Sequence, residues 1–123
     1  MKGHLLIAED DPVLRNLYVK KFTIAGFTLD AVENGQVALD SLAQRTPDVM
    51  LLDIHMPVMD GFAVLQALPR TERKFPVIIL SNFSDPEIKD RGRALGADDY
   101  FVKKDMTIRT LIDMVERLLA SKK

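Results

Sequence analysis

The chain has 123 residues, 28% of them charged, with a formal net charge of −1 and no cysteine. This length suits one domain with a sound core, and the near balance of charge argues against direct nucleic-acid binding, which usually needs a basic face. Without cysteine there is no disulfide, no thiolate metal site and no cysteine nucleophile. The apolar stretch near the start is too short for a signal peptide or a membrane span. We therefore expect a single cytoplasmic domain over residues 1–123 that does not bind membranes.

In the first half of the chain, short apolar runs alternate with segments of helical periodicity. The predicted elements are a strand at Leu5–Ala8, a helix at Pro12–Ala25, a strand at Thr28–Val32, a helix at Gln36–Gln44 and a strand at Asp48–Ile54. Asp11 is the expected N-cap of the first helix because Asp-Pro is a favourable helix start. The apolar run that leads into Asp53 is typical of a strand buried on both faces.

The second half continues the alternation. A third helix follows Asp60-Gly61, a strand covers Val77–Ser81, a fourth helix opens at "SDPE" and ends at Gly96, a strand covers Tyr100–Val102, and a fifth helix runs from about Thr107 to Ala120. Ser84 and Glu87 have the spacing of a capping box for the fourth helix. The charged segment "RTERK", Arg70–Lys74, is interpreted as solvated surface between the third helix and the fourth strand.

Five strands alternating with five helices predict an α/β fold with a parallel sheet covered on both faces. Because crossover connections are right-handed, the layout is a doubly wound sandwich. In such folds, ligands bind beyond the carboxyl ends of the strands, near the point where the strand order reverses. The polar residues at those ends are therefore the candidates for a functional site.

Three carboxylates follow two of the strands. Glu9 and Asp10 come directly after the first strand and Asp53 ends the third. If these strands are neighbours, the like charges raise one another's pKa unless a cation intervenes. Ligands that offer only oxygen favour a hard ion, Mg²⁺ first. Asp11 is better explained as the helix cap.

A hydroxyl and an ammonium follow the remaining strands. Ser81 ends the fourth strand and Lys103 follows the fifth. Together they would suit an anion beside the metal, and a phosphoryl group on Asp53 would fill that place.

The segments "LLIAEDD", "VMLLDIHMPVMDG", "VIILSN" and "GADDYFVKK" resemble, in order and spacing, the receiver domain of two-component response regulators, including its chemotaxis members. The resemblance covers nearly the whole chain. It implies a flavodoxin-like (βα)5 fold with strand order 2-1-3-4-5. It also implies a phosphoprotein in which Asp53 accepts a phosphoryl group.

The same resemblance implies a role for each residue at the carboxyl edge. Asp10 and Asp53 would bind Mg²⁺ directly, Glu9 would act largely through water, and the backbone carbonyl of His55 would complete the protein ligands. Lys103 would contact the phosphoryl oxygen.

By the same resemblance, two further residues would respond to phosphorylation of Asp53. Ser81 would be the hydroxyl switch and Tyr100 the aromatic one. Movement at Ser81 would let the Tyr100 ring turn inward and would alter the surface of the fourth helix, fifth strand and fifth helix.

The implied partners are a sensor histidine kinase or a histidine phosphotransfer protein, and a downstream protein target. Phosphorylation-dependent homodimerisation stays open. No output domain follows the fifth helix in this sequence, which leaves open a stand-alone regulator or a fragment of a longer protein. The resemblance implies a protein that is not an enzyme and catalyses only its own phosphorylation and dephosphorylation.

The sequence departs from the family pattern after the lysine, where Lys104 replaces the usual proline. A cis bond before a residue other than proline costs about 3 kcal/mol, so we expect a trans bond there. Asn82 and Phe83, which follow the switch hydroxyl, are hypothesised to restrict water and slow loss of the phosphoryl group.

Two alternatives remain at this stage. A phosphatase of the haloacid dehalogenase type also uses a strand-end aspartate with Mg²⁺, but it needs a second aspartate two residues later, where this chain has His55. A receiver-like interaction module that is never phosphorylated is the other, and the full acidic set argues against it.

Overall fold

A computed structural model describes residues 2–82 and 84–121 of the chain. Strands and helices alternate along it. The strands are β1 (His4–Ala8), β2 (Thr28–Val32), β3 (Val49–Asp53), β4 (Val77–Ser81) and β5 (Asp99–Val102). The helices are α1 (Pro12–Ile24), α2 (Gly35–Gln44), α3 (Gly61–Ala67), α4 (Pro86–Ala94) and α5 (Ile108–Ala120). Each predicted strand lies within one residue of its observed ends.

The strands form one parallel sheet in the order β2-β1-β3-β4-β5, which confirms the predicted doubly wound topology. Alternate residues of each strand point to opposite faces, so the sheet separates two apolar cores. One core includes Leu6 and Leu52 and packs against α2, α3 and α4, whereas the other includes Leu5 and Leu51 and packs against α1 and α5. The central strands β1, β3 and β4 are buried along their whole length.

Two helices begin with the same Asp-Pro pair. The Asp11 side chain accepts a hydrogen bond from the Val13 amide at the start of α1, as predicted. At α4 the N-cap is Asp85, whose carboxylate accepts from the Glu87 amide at 2.9 Å. The prediction that Ser84 caps this helix is therefore wrong. Asp85 directly precedes Pro86 and so takes the place that Asp11 takes in α1.

The interpretation of Arg70–Lys74 as solvated surface is also wrong for one residue. The Arg73 side chain is only 1% exposed, whereas Arg70 in the same segment is 66% exposed. The Arg73 guanidinium donates hydrogen bonds to the Phe75, Leu68 and Gly96 carbonyls and to the Asp98 carboxylate. Hydrogen bonds to backbone carbonyls near the amino ends of β4 and β5 thus hold the Arg73 guanidinium in a buried position. Burial lowers the pKa of Arg73 from the usual arginine value.

Among the helices of the described ranges, none combines the length and the apolar character needed to cross a bilayer.

Candidate functional site

The register of the sheet brings the predicted site residues to one edge. Ala8 pairs with Leu52 and Asp53 pairs with Leu80, so β1, β3 and β4 end at nearly the same level. Ser81 pairs with Val102, and the Lys103 amide donates to the Ser81 carbonyl at 2.7 Å. The residues that follow these strand ends therefore meet at the carboxyl edge, as the sequence predicted.

Glu9, Asp10 and Asp53 form the acidic cluster of this edge. Each offers a carboxylate oxygen that lies within 4.8 Å of the oxygens of the other two. Glu9 is completely buried and Asp53 is 3% exposed, whereas Asp10 is exposed to solvent. Two of the three carboxylates have thus lost most of their hydration, and the third faces the direction from which a ligand would arrive.

Lys103 supplies the positive charge of the site. Its Nζ lies 2.6 Å from Glu9 Oε1 and 3.2 Å from Asp53 Oδ2, and its side chain is 9% exposed. Burial alone would lower the pKa of this ammonium, but the Glu9 and Asp53 carboxylates outweigh burial and raise the pKa above its usual value. Lys103 therefore stays protonated at neutral pH.

The Lys103 ammonium does not balance the two buried carboxylates that it contacts, Glu9 and Asp53. Burial raises the pKa of Asp53 to about 8, and the neighbouring Glu9 adds to the rise while Lys103 opposes it. Within the described residues, buried Glu9 Oε1 forms a close ion pair with Lys103 but accepts no well-aligned hydrogen bond. The site therefore carries excess negative charge that a cation would relieve.

The donor set fits Mg²⁺. Oxygens from Glu9, Asp10 and Asp53 are the hard ligands that this ion prefers, and the exposure of Asp10 leaves room for the waters that it keeps. His55 is exposed, and the acidic cluster consists of Glu9, Asp10 and Asp53. The His55 backbone amide points toward the site and lies 3.3 Å from Asp53 Oδ1. The role of its carbonyl as a metal ligand stays a prediction.

The start of α3 packs closely against the backbone at the end of β3, next to Asp53. The Gly61 amide donates to the Ile54 carbonyl at 2.9 Å, and a Cβ at position 61 would overlap the Asp53 carbonyl. A glycine is thus required for the backbone of α3 to approach the end of β3.

Arg15 is a site residue that sequence reasoning missed. Its guanidinium donates to the Glu9 carbonyl at 2.9 Å and to the Asp10 carbonyl at 3.4 Å. The only signal in the sequence is a cation four residues after the Asp11 cap, close to an acidic loop.

The two predicted switch residues lie on neighbouring strands, two register positions apart. Ser81 is fully buried at the end of β4, and Tyr100 on β5 pairs with Ile79. Tyr100 is 9% exposed and belongs to the core that faces α4. The ring therefore already lies inward in this structure, and its role as a switch on phosphorylation stays a prediction. It lines a cavity of about 150 Å³ together with Lys89 and Arg93 of α4.

The structure describes two of the three residues that depart from the family pattern, Lys104 and Asn82. No peptide bond in the described residues is cis, so the bond before Lys104 is trans as predicted. Asn82 is exposed, whereas Phe83 lies outside the described residues. Their hypothesised effect on water stays a prediction.

Comparisons with known proteins agree with this geometry. A family model described as the response regulator receiver domain matches residues 5–116. The DNA-binding transcriptional regulator NtrC of Escherichia coli is 35% identical over 119 residues, which are 97% of this chain and 25% of that protein. A gliding motility regulatory protein of Myxococcus xanthus is 33% identical over 116 residues, 93% of this chain and 15% of that protein. The chain thus spans a quarter or less of the length of these curated relatives.

Solved structures with the same fold include two receiver domains. That of the Francisella response regulator 1452 superposes with a TM-score of 0.91 at 32% identity, over 98% of this chain and 99% of that one. That of a signal transduction histidine kinase from Syntrophus aciditrophicus superposes with a TM-score of 0.88 at 34% identity, over 98% and 92%.

Proposed function

The chain belongs to the response regulator receiver domain family, and we propose that it receives the phosphoryl group of a two-component signalling system on Asp53. The observation that carries this proposal is the setting of Asp53 at the end of β3. Its carboxylate is almost fully buried, lies 3.2 Å from the Lys103 ammonium and shares the edge with Glu9 and Asp10. A nucleophile, a fixed positive charge and a set of oxygen ligands are the parts that phosphoryl transfer needs.

In this proposal Glu9, Asp10 and Asp53 would hold Mg²⁺, with the His55 backbone carbonyl as a further ligand. When bound, the ion would neutralise charge on the oxygens of the transferring phosphoryl group. The excess negative charge of the acidic cluster supports this assignment.

The transfer itself is a displacement at phosphorus. An Asp53 carboxylate oxygen forms the new O–P bond while the N–P bond of a phosphohistidine donor breaks. The electron pair of that bond stays on the donor imidazole, which then takes a proton from solvent. Lys103 would contact the phosphoryl oxygens, and the Ser81 hydroxyl would donate to them.

Ser81 and Tyr100 would transmit the change to the surface made by α4, β5 and α5. Because the Tyr100 ring is already buried, phosphorylation would stabilise this packing rather than create it. The donor would be a sensor histidine kinase or a histidine phosphotransfer protein. A downstream protein would bind the altered surface, with homodimerisation as a further response, and the expected cytoplasmic location stays a prediction.

The phosphatase alternative has no support from the site. The position two residues after Asp53 is His55, whose side chain is exposed, where that chemistry needs a second carboxylate. We therefore infer self-catalysed phosphorylation and dephosphorylation rather than turnover of external phosphoesters.

The test is incubation of the purified protein with Mg²⁺ and phosphoramidate, followed by intact-protein mass spectrometry. We expect one added phosphoryl group on the wild type and none on Asp53→Asn. Asp113→Asn is the matched control, because it makes the same change at a half-exposed aspartate on α5. Continuous phosphate release without a phosphoprotein would favour the phosphatase, and no reaction would favour an inert module.

A further inference from the structure

A single residue bonds all three successive carbonyls of the acidic loop. The Arg15 guanidinium donates to the Glu9 and Asp10 carbonyls, at 2.9 and 3.4 Å, and the Arg15 amide donates to the Asp11 carbonyl at 2.8 Å. The third contact is an ordinary helical bond of α1. The first two come from one guanidinium nitrogen, Nη1, which carries two N–H groups.

These contacts fix the backbone on both sides of Asp10. The Glu9 carbonyl belongs to the peptide group that precedes Asp10, and the Asp10 carbonyl belongs to the one that follows it. Since a peptide group is planar, holding both carbonyls restricts the two backbone dihedral angles of Asp10 and hence the direction of its side chain.

Asp10 needs such support more than its neighbours do. Glu9 and Asp53 are buried and each contacts Lys103, so packing and charge already place them. Asp10 is exposed on the loop, and neither burial nor Lys103 holds it.

The geometry points to Arg15 as a positioning residue that orients Asp10 for the cation, an inference that rests on the proposed function. It acts through the backbone and not by contact with the reacting atoms. Residues that orient metal ligands typically contribute 10- to 100-fold to affinity, and we expect the lower end here because Arg15 acts on one ligand.

The sign of the effect separates this role from a simple charge effect. If Arg15 acted only as a nearby positive charge, its removal would tighten the binding of a cation. If it positions Asp10, its removal weakens binding. The two explanations therefore predict opposite changes for Arg15→Gln.

The experiment is an NMR titration of the unphosphorylated protein with Mg²⁺ alone, read from backbone amide shifts well below the melting temperature of each variant. We expect Arg15→Gln to raise the Kd about tenfold. Arg15→Lys should raise it about threefold, because a strongly hydrated ammonium on a flexible stem holds the two carbonyls less firmly than Nη1 of the rigid guanidinium. Arg109→Gln, which removes an exposed arginine on α5, should leave the Kd unchanged.

A double-mutant cycle shows whether the effect passes through Asp10. In an Asp10→Asn background, Arg15→Gln should change the Kd by less than about twofold. Tighter binding by Arg15→Gln, or the same tenfold loss in both backgrounds, would each overturn the inference. Failure of the wild type to bind Mg²⁺ would instead overturn the proposed function, and this inference with it.

Discussion

The two edges of the sheet both bury charge, but they treat it differently. At the amino edge, Arg73 donates to three backbone carbonyls and to Asp98, and Asp98 accepts in addition from the Val77 amide. At the carboxyl edge, the buried carboxylates of Glu9 and Asp53 share one ammonium, that of Lys103, and Glu9 Oε1 has no well-aligned donor within the described ranges.

The difference is the one expected between a structural charge and the charge of a site that binds a cation, as proposed for Glu9, Asp10 and Asp53. A buried charge whose hydrogen bonds are all made stabilises one conformation and has little left to offer a ligand. A buried charge that is not balanced lowers the stability of the free protein but binds a cation or a phosphoryl group. Burial alone would not have distinguished the two edges, because Arg73 and Glu9 are buried almost equally.

The largest expected effect is at the amino edge. Arg73→Met keeps much of the side-chain volume but removes the guanidinium that donates to Asp98 and to three carbonyls, so we expect a loss of about 3–5 kcal/mol in the free energy of unfolding, measured by urea denaturation. Arg70→Met is the matched control, since Arg70 pairs with Asp98 from an exposed position and should cost less than about 1 kcal/mol. Equal costs for the two variants would show that the buried network does not stabilise the fold.

At the carboxyl edge a charge-removing substitution should have the opposite sign. Asp53→Asn keeps the shape of the side chain and removes one of the crowded negative charges. We expect it to raise the free energy of unfolding of the metal-free protein by about 1–3 kcal/mol at pH 8. Loss of stability would mean that the ion pair with Lys103 outweighs the repulsion from Glu9 and the cost of burial.

The stability gained by Asp53→Asn should depend on pH, because the pKa of Asp53 is raised. The unfolded carboxyl ionises near its ordinary pKa of 3.8, whereas the folded one stays protonated up to about 8. The folded state then binds more protons over this window, so the contribution of Asp53 to stability falls as the pH rises from about 4 to about 8. The advantage of Asp53→Asn over the wild type should therefore be larger at pH 8 than at pH 5. Added Mg²⁺ should stabilise the wild type more than the variant.

Much of the fold could be predicted from the sequence because the alternation of apolar runs and helical stripes is a local signal. The convergence of Glu9, Asp53 and Lys103 followed from it, since the carboxyl ends of parallel strands meet at one edge whatever the loops do. The predicted topology was therefore enough to predict which of these side chains would lie close together.

Details that depend on contacts distant in the sequence could not be predicted. A charged loop gives no sign that Arg73 would meet the Gly96 carbonyl, 23 residues away. Ser84 and Asp85 both carry an oxygen suited to a helix start, and only the backbone decides between them. The packing of Tyr100 against α4 and the reach of Arg15 to the acidic loop likewise depend on side-chain conformations that composition does not reveal.

The smallest expected effect tests whether the carboxyl edge also stores backbone strain. Val58, in the loop between β3 and α3, has a φ of 69° and is 82% exposed, so no packing compensates a left-handed conformation that β-branched residues avoid. Such a conformation costs a non-glycine residue about 1–2 kcal/mol in the folded state. Glycine removes this cost, but its greater freedom in the unfolded chain offsets part of the gain in stability. We expect Val58→Gly to stabilise the protein by about 1 kcal/mol in urea denaturation. Val13→Gly, at an exposed helical valine, should destabilise it by about 0.5 kcal/mol. If both substitutions destabilise alike, the loop holds no strain, and the contrast between the two edges is one of charge alone.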